Sequence, residues 1–136
     1  MTSPVAVVDA SVLVDAFVGR GLRGVTAAMA LADFEHLAAP DIVDVECVSA
    51  WWGLTSGGHL AGAEVPSLAR RLVAAPIERL PTWPLGERLV ELVGSVTAYD
   101  AAYVALAELL DAPLLTADAR LARTGHRRCE VRVVGA

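Results

Sequence analysis

Four acidic residues lie in apolar stretches of the sequence where a charge is out of place: Asp9, Glu46, Asp100 and Asp118. None of them has an arginine three or four residues away, the spacing that pairs side chains on a helix. A carboxylate in such a segment needs a distant partner, a proton or a cation. Because clustered carboxylate oxygens suit Mg²⁺ or Mn²⁺, ions that also bind phosphate, the four acids are candidate metal ligands.

Short strands alternate with helices along the chain of 136 residues. Strands are predicted at about 5–8, 36–39, 76–81, 114–116 and 131–134, and helices at about 12–17, 25–34, 42–55, 64–74, 85–93 and 99–110. This alternation predicts βαβ units, with a parallel sheet that carries helices on both faces. No repeat or linker divides the chain, so residues 1–136 are expected to form a single domain.

The predicted elements place the four acids at one edge of this sheet. Asp9 and Asp118 follow the carboxyl ends of the first and fourth strands, while Glu46 and Asp100 fall in the first turns of two helices. In a parallel α/β sheet these positions share one rim, which is where such folds bind their ligands.

Three of the acids also have a structural explanation. Asp9 is a favourable cap for the first helix, Asp118 can cap a short helix behind it, and Thr97-x-x-Asp100 fits a capping box. Sequence alone leaves the structural and functional interpretations of these residues open.

Glu46 is harder to explain as a cap. Asp41 and Asp44 are expected to fill the capping roles of its helix, which leaves Glu46 without a local structural task. Asp15 is close to Asp9 in sequence, but it lies one helical turn further on and is not expected to join the site.

The charge of the chain excludes binding of nucleic acid by charge alone, because the formal net charge is −5. Arginine is the sole basic residue besides histidine, and five of the eleven arginines fall between residues 119 and 136. This basic segment, which includes Arg120, Arg127, Arg128 and Arg132, either grips phosphate or forms a solvated edge.

Composition limits the compartment and the assembly. No apolar run is long enough to cross a membrane, no signal peptide is evident, and Cys47 and Cys129 match no zinc or redox spacing, so a cytoplasmic protein is expected. The apolar fraction is 55%, and the helix carrying Trp51 and Trp52 is apolar on almost every side. Such a surplus predicts burial against a second subunit, and a homodimer is the simplest form. The two tryptophans are expected in the core or at that interface rather than stacked on bases.

Four segments carry a family resemblance. They are VVDAS around Asp9, APDIVDVE ending at Glu46, YDAAYVALA beginning at Tyr99 and PLLTADARL beginning at Pro113. In this order and spacing, the chain resembles the PIN domain, and within that family the VapC-like toxins of bacterial toxin–antitoxin pairs. Position 10 is alanine where many members have threonine, while the neighbouring serine is kept.

The resemblance implies a three-layer α/β/α sandwich with a central, mostly parallel sheet of four to five strands. It implies a Mg²⁺-dependent endoribonuclease, in which Asp9, Glu46, Asp100 and Asp118 form an acidic quartet that holds the metal. Two further residues would be polar neighbours of the metal or its water: Ser11 and Thr116. It also implies a cognate VapB-like antitoxin that blocks the acidic pocket, within a larger toxin–antitoxin complex.

Two other functions fit the same sequence. A PIN-fold protein that has lost cleavage would bind RNA or protein without reacting, although the presence of all four acids argues against it. An RNA-maturation nuclease would cleave RNA but have no antitoxin.

Overall fold

A computed structural model describes residues 4–135. Within that range five strands form one sheet in which all neighbouring strands are parallel, in the order β3-β2-β1-β4-β5. The strands are β1 (Val5–Val8), β2 (His36–Pro40), β3 (Ile77–Leu80), β4 (Leu114–Thr116) and β5 (Val131–Val133). The predicted positions of the strands and their parallel arrangement are therefore confirmed.

Six α-helices connect these strands within the same residues. They are α1 (Ala10–Val18), α2 (Gly21–Ala32), α3 (Val43–Ser56), α4 (Val65–Ala74), α5 (Gly86–Leu92) and α6 (Ala98–Leu110), with short 3-10 helices at Gly62–Glu64, Trp83–Leu85 and Ala119–Arg123. Helix α1 packs against α2, α3 and α4, whereas α5 packs against α6, which lies along β1 and β2. The sheet and these two groups of helices form the α/β/α sandwich. No helix in the described part of the chain is long and apolar enough to span a membrane.

The central strand β1 is the point where the connections change direction. From it the chain passes to β2 and β3 on one side, while β4 and β5 lie on the other. Its Val7 and Val8 are fully buried, because a strand covered on both faces needs a continuous apolar run. A crevice forms at such a switch point, outside the carboxyl ends of β1 and β4. Asp9 follows directly after β1 and is therefore placed at this crevice.

Helix α2 begins earlier than the sequence predicts, at Gly21 instead of residue 25. The glycines were expected to loosen the link between the first two helices, but Gly24 lies inside α2 and is buried. A Cβ atom at Gly24 would lie 2.6 Å from the carbonyl carbon of Gly19, so glycine allows α1 and α2 to approach closely. Gly19 itself ends α1 in the left-handed conformation, with φ of 67°.

The expected capping of α3 by Asp41 and Asp44 is wrong. The N-cap residue is Ile42, which makes no side-chain capping bond. Asp44 instead accepts two hydrogen bonds from the Arg79 guanidinium, at 2.8 and 3.1 Å. That guanidinium also donates to the carbonyls of three residues near β3: Leu72, Ala75 and Ile77. An ion pair between Asp44 and Arg79 thus connects the start of α3 to β3, and Ile42 provides no side-chain cap.

The apolar helix α3 has one buried face and one exposed face. Val43, Cys47 and Trp51 recur every four residues and are fully buried. The Trp51 indole N–H donates to the carbonyl of Val14 at 3.2 Å, which confirms its expected place in the core. Trp52 is 60% exposed and is available to a partner.

Arg127 is already bound within the fold. Its guanidinium donates to the carbonyls of Ala122 and Cys129, and these bonds fix the turn that leads into β5. Arg128 is exposed, and its backbone N–H donates to Glu108. Contact of both arginines with phosphate stays a prediction, but replacing Arg127 would also disturb the turn.

We expect Gly24→Ala to destabilise the protein by about 1–3 kcal/mol, because the added methyl meets backbone atoms that cannot yield. Gly53→Ala is the matched control, since a Cβ atom there meets nothing within 4 Å and alanine favours helix by up to about 1 kcal/mol. Urea unfolding curves measure both. Equal effects of the two substitutions would show that α1 and α2 are not tightly packed at Gly24.

Candidate metal centre

Asp9 is the buried centre of the site. It occupies the N-cap position of α1, but its carboxylate makes no capping bond, so the capping interpretation is wrong for this residue. Its backbone N–H donates to the carbonyl of Leu115 at 2.9 Å, which extends the pairing of β1 with β4 by one residue. The residue is 7% exposed, an unusual position for an ionisable group without a cationic partner.

Two hydroxyl groups hold the Asp9 carboxylate. Ser11 Oγ and Thr116 Oγ1 both donate to Oδ2, at 2.6 and 2.8 Å. Each hydroxyl in turn accepts a backbone N–H, from Ala117 and Asp118 respectively, both at 3.0 Å. The backbone donors leave the hydroxyl protons directed at Asp9. Ser11 and Thr116 therefore act on the Asp9 carboxylate itself, and their place beside a metal or its water stays a prediction.

Asp100 lies half-buried in the first turn of α6. Its backbone N–H donates to the Thr97 hydroxyl at 3.2 Å, so the predicted cap by Thr97 is confirmed. This bond uses the main chain of Asp100. The capping arrangement thus fixes the helix start while the Asp100 carboxylate faces a shallow groove lined by residues 93–97 and by Arg120.

Glu46 is held by a residue that sequence analysis assigned to the core. The Tyr103 hydroxyl donates to Glu46 Oε1 at 2.6 Å, across 57 residues of sequence. Tyr103 is fully buried on α6, and burial raises the pKa of its phenol, so it stays a donor at neutral pH. Tyr103 shares its helical spacing with Leu106 and Leu110, and this pattern indicates a core side chain. The sequence therefore gives no sign that its hydroxyl binds Glu46.

Asp118 has a cationic partner that helical spacing does not reveal. It accepts the backbone N–H of Arg120 at 2.9 Å, which confirms its capping of the 3-10 helix. The Arg120 guanidinium also contacts both carboxylate oxygens, the shortest distance being 2.7 Å. The pair is formed two residues apart, because the chain there is a 3-10 turn instead of an α-helix. Arg120 lowers the pKa of Asp118.

The remaining acids share an electrostatic problem. Burial raises the pKa of Asp9, and the charge of Asp100 raises it further against the effect of the two hydroxyls. Burial likewise raises the pKa of Glu46, Tyr103 lowers it, and the charges of Asp9 and Asp100 add to the increase. Burial also raises the pKa of Asp100; a hydrogen bond from the Thr97 side chain lowers it, and the charge of Asp118 adds to the increase. Each of the four acids thus lies near enough to influence the charge of at least one other, and the four together are called the acidic cluster.

The donor set suits a hard divalent cation. Asp9, Glu46 and Asp100 offer carboxylate oxygens whose negative charges destabilise one another, and a cation would relieve that repulsion. Within residues 4–135 no three His, Cys, Asp or Glu side chains are already gathered tightly enough to hold a metal together. Mg²⁺ needs fewer protein ligands than that, since it usually binds one or two carboxylates and keeps several waters. The residues present therefore fit the ion.

Two nearby groups lie outside the cluster. Asp15 pairs with Arg23 at 3.5 Å and lines a shallow groove with Ser11 and Asp118, and its absence from the metal site stays a prediction. Cys47 is buried beside the cluster, and burial raises the pKa of its thiol to about 12. A thiol in that state is a poor nucleophile, as expected for a small core side chain.

Comparison with known proteins shows the family of the chain. The family profile described as "PIN domain" matches residues 6–127, a range that includes all four acids. The chain belongs to the PIN-domain family.

Two relatives of this PIN domain are named as ribonucleases. "VapC ribonuclease Mb0985" of Mycobacterium bovis is 37% identical over 128 residues, which cover 94% of this chain and 97% of that protein. "Ribonuclease VapC1" of Mycobacterium tuberculosis is 35% identical over 139 residues and covers 94% and 96%. Among solved structures, the "Toxin-antitoxin complex from Klebsiella pneumoniae" aligns with a TM-score of 0.66 at 20% identity, covering 94% of this chain and 96% of that chain. At that identity the structural match shows the fold alone.

We expect Mg²⁺ or Mn²⁺ to stabilise the protein more strongly at neutral pH than at a pH low enough to protonate the carboxylates of the acidic cluster. The folded-state pKa values of Asp9, Glu46 and Asp100 lie above their ordinary values, so the metal-free protein loses stability as pH rises through the carboxyl range. A cation offsets this loss once the carboxylates are ionised. At one hundred times its Kd it adds about 2.7 kcal/mol, measured by thermal unfolding.

Asp9→Asn tests whether this stabilisation arises at the cluster. The substitution removes a buried negative charge, so we expect the metal-dependent shift in Tm to disappear without loss of the fold. Asp111→Asn is the control, because Asp111 lies at the far end of α6 and asparagine tolerates its φ of 50°. A shift that survives in Asp9→Asn would place the cation elsewhere.

We expect Tyr103→Phe to raise the pKa of Glu46, because it removes the hydrogen bond that favours the ionised carboxylate. The lost bond also lowers the free energy of unfolding by about 1 kcal/mol. An NMR titration of the glutamate carboxyl carbons measures the pKa, with Tyr99→Phe on the exposed face of α6 as control. An unchanged Glu46 pKa would mean that the phenol does not position this carboxylate.

Proposed function

We propose that this PIN domain is a divalent-metal-dependent endoribonuclease and the toxin of a toxin–antitoxin pair, acting as a single domain over residues 1–136. Asp9, Glu46, Asp100 and Asp118 would hold Mg²⁺ or Mn²⁺, with Ser11 and Thr116 orienting Asp9. The relatives named VapC ribonuclease, at 35–37% identity over nearly the whole chain, support the reaction class.

One observation carries the proposal: Asp9 is 7% exposed, its pKa is raised by burial and by Asp100, and none of the groups that shift this pKa is a cation. A fold has little reason to bury an unpaired carboxylate for stability, since the desolvation cost is not recovered. Two dedicated hydroxyl donors make the carboxylate a better ligand. This combination favours cation binding over a structural role.

In the proposed reaction the protein mainly binds and orients. A bound divalent ion lowers the pKa of a water molecule and neutralises charge on the scissile phosphate. Asp9 is fixed by Ser11 and Thr116, and Glu46 is fixed by Tyr103, so two carboxylates are held before substrate arrives. Such preorganisation reduces the rearrangement needed in the transition state. Asp100, half-buried beside an open groove, would face the substrate side.

Charge balance is consistent with an RNA substrate despite the net charge of −5. The ion would offset the acidic cluster, and exposed arginines of the basic segment could hold the backbone. Arg123 and Arg128 are exposed, and Arg120 borders the groove that contains Asp100. Arginine suits this task because its guanidinium matches the geometry of phosphate.

An antitoxin partner and a homodimer complete the proposal. The Klebsiella pneumoniae structure is a toxin–antitoxin complex, which favours the VapB-like partner implied by the sequence.

Large apolar side chains remain exposed on several helices, including Leu22 and Met29 on α2, Val45 and Trp52 on α3, and Val90 on α5. Such surfaces are typical of proteins that bind partners, and light scattering of the purified chain would give its oligomeric state.

We expect the purified chain to cleave RNA in Mg²⁺ and to be inactive in EDTA. Asp9→Asn and Asp100→Asn should each reduce the rate by at least about 100-fold, because loss of a ligand costs more than loss of the groups that orient it. The rate of cleavage of a fluorescent single-stranded RNA measures this, and circular dichroism confirms that the variants fold.

Asp15→Asn should remain active, since Asp15 pairs with Arg23 outside the cluster. Because all variants are purified identically, equal activity in Asp9→Asn would reveal a contaminating nuclease and contradict the proposal. Binding of RNA without cleavage in Mg²⁺ would favour the non-catalytic PIN module. Cleavage by a chain whose gene has no short antitoxin gene beside it would favour an RNA-maturation nuclease.

A further inference from the structure

The Asp118–Arg120 pair lies where two shallow grooves meet the acidic cluster. Arg120 lines a groove of about 500 Å³ together with Asp100 and Thr97. Asp118 lines a second groove, of about 390 Å³, together with Ser11. The ion pair therefore borders both grooves, and Arg120 is its more exposed member, since its side chain is 80% exposed against 27% for Asp118.

The Arg120 guanidinium is paired with the Asp118 carboxylate. Its Nε contacts both Asp118 oxygens, at 3.0 and 3.2 Å, and its Nη2 contacts Oδ2 at 2.7 Å. The charge of the same guanidinium also lowers the pKa of Asp100, although less than the other groups around that carboxylate shift it. One exposed arginine thus pairs with one of the four acids and lies near a second.

We propose that Arg120 and a divalent cation exchange at Asp118: the arginine neutralises this carboxylate in the metal-free protein and, once displaced by the ion, binds the phosphate backbone of the RNA. The inference rests on the proposed metal-dependent function. Arg120 is thereby a substrate-binding residue whose availability depends on the metal.

Exchange follows from how the Asp118 oxygens are used. Oδ1 accepts the backbone N–H and the Nε of Arg120, while Oδ2 accepts Nη2 and Nε. A cation that binds these oxygens must compete with the guanidinium. The backbone N–H of Arg120 donates to Asp118 Oδ1 without using the Arg120 side chain. This bond can therefore hold Asp118 in place when the guanidinium leaves.

The displaced guanidinium has a clear destination. It borders the groove that contains Asp100, where a phosphate approaching the metal would lie. An arginine fork suits a phosphate as well as it suits a carboxylate. Because the pair with Asp118 is largely exposed, breaking it costs little, and the exchange requires no movement of the main chain.

The first test measures metal binding without any catalytic readout. Mn²⁺ is titrated into wild type, Arg120→Ala and Arg123→Ala by isothermal calorimetry. Arg120→Ala should bind Mn²⁺ about two- to fivefold more tightly, since the competing cation is gone. Arg123→Ala removes the same charge from the same 3-10 helix, yet it lies farther along and makes no bond to Asp118, so its effect should be smaller.

The second test measures RNA binding with and without the metal. A fluorescein-labelled single-stranded RNA is titrated with each protein and followed by anisotropy, and gel electrophoresis of each sample confirms that the RNA is still intact. In EDTA, wild type and Arg120→Ala should bind it equally, because the wild-type guanidinium remains on Asp118. In Mn²⁺, Arg120→Ala should bind about fivefold more weakly. Arg120→Lys, which keeps the charge but loses the fork, should fall between them.

Equal Mn²⁺ affinity of wild type and Arg120→Ala would overturn the exchange. Weaker RNA binding by Arg120→Ala in EDTA as well as in Mn²⁺ would also overturn it, because the guanidinium would then be free from the start. Equal RNA binding by wild type and Arg120→Ala in both EDTA and Mn²⁺ would contradict the proposal, because Arg120 would then only pair with Asp118 and not bind RNA. If wild type binds no Mn²⁺ at all, the proposed function itself fails, and that result differs from each of the others.

Discussion

Everything at the site depends on a negative charge that is almost completely buried. The Asp9 carboxylate accepts two hydroxyl protons, from Ser11 and Thr116, and lacks the positive partner that buried acids ordinarily have. The two hydroxyls are themselves aligned by backbone N–H groups at the end of β4. The sheet therefore transmits its geometry to the carboxylate through main-chain contacts. A buried charge fixed in one position is a form of preorganisation. Folding of the chain includes the desolvation cost of the carboxylate, and binding of a cation recovers it.

The four acids are supported unequally, and the differences suggest a division of labour. Asp9 and Glu46 each have a buried or partly buried hydroxyl donor, which restricts where their oxygens can point. Asp100 has its main chain fixed by Thr97 while its carboxylate borders an open groove. Asp118 is bound by an exposed arginine. The groups that support the carboxylates are thus buried near the core and exposed toward the surface.

Sequence predicts the strands well because β1 and β4 are short apolar runs, and it predicts the grouping of the acids because parallel strands end at a common rim. The side chains that bind acidic residues from distant parts of the chain cannot be predicted from local patterns. Arg79 replaces the expected cap of α3 from 35 residues away, and Tyr103 reaches Glu46 across 57 residues. Gly24 looks like a flexible linker until the closeness of α1 to α2 is known. Arg120 pairs with Asp118 at a spacing of two residues because the chain forms a 3-10 turn there, so α-helical spacing does not predict the pair.

The pairing of β1 with β4 has a consequence for the newly synthesised chain. The hydroxyl of Thr116 lies 107 residues beyond the carboxylate it supports, and β2 and β3 both come between them in the chain. While the ribosome is still extending the polypeptide, Asp9 has neither this donor nor the strand β4 that pairs with β1. The surroundings of the Asp9 carboxylate can therefore be completed only when translation is almost finished.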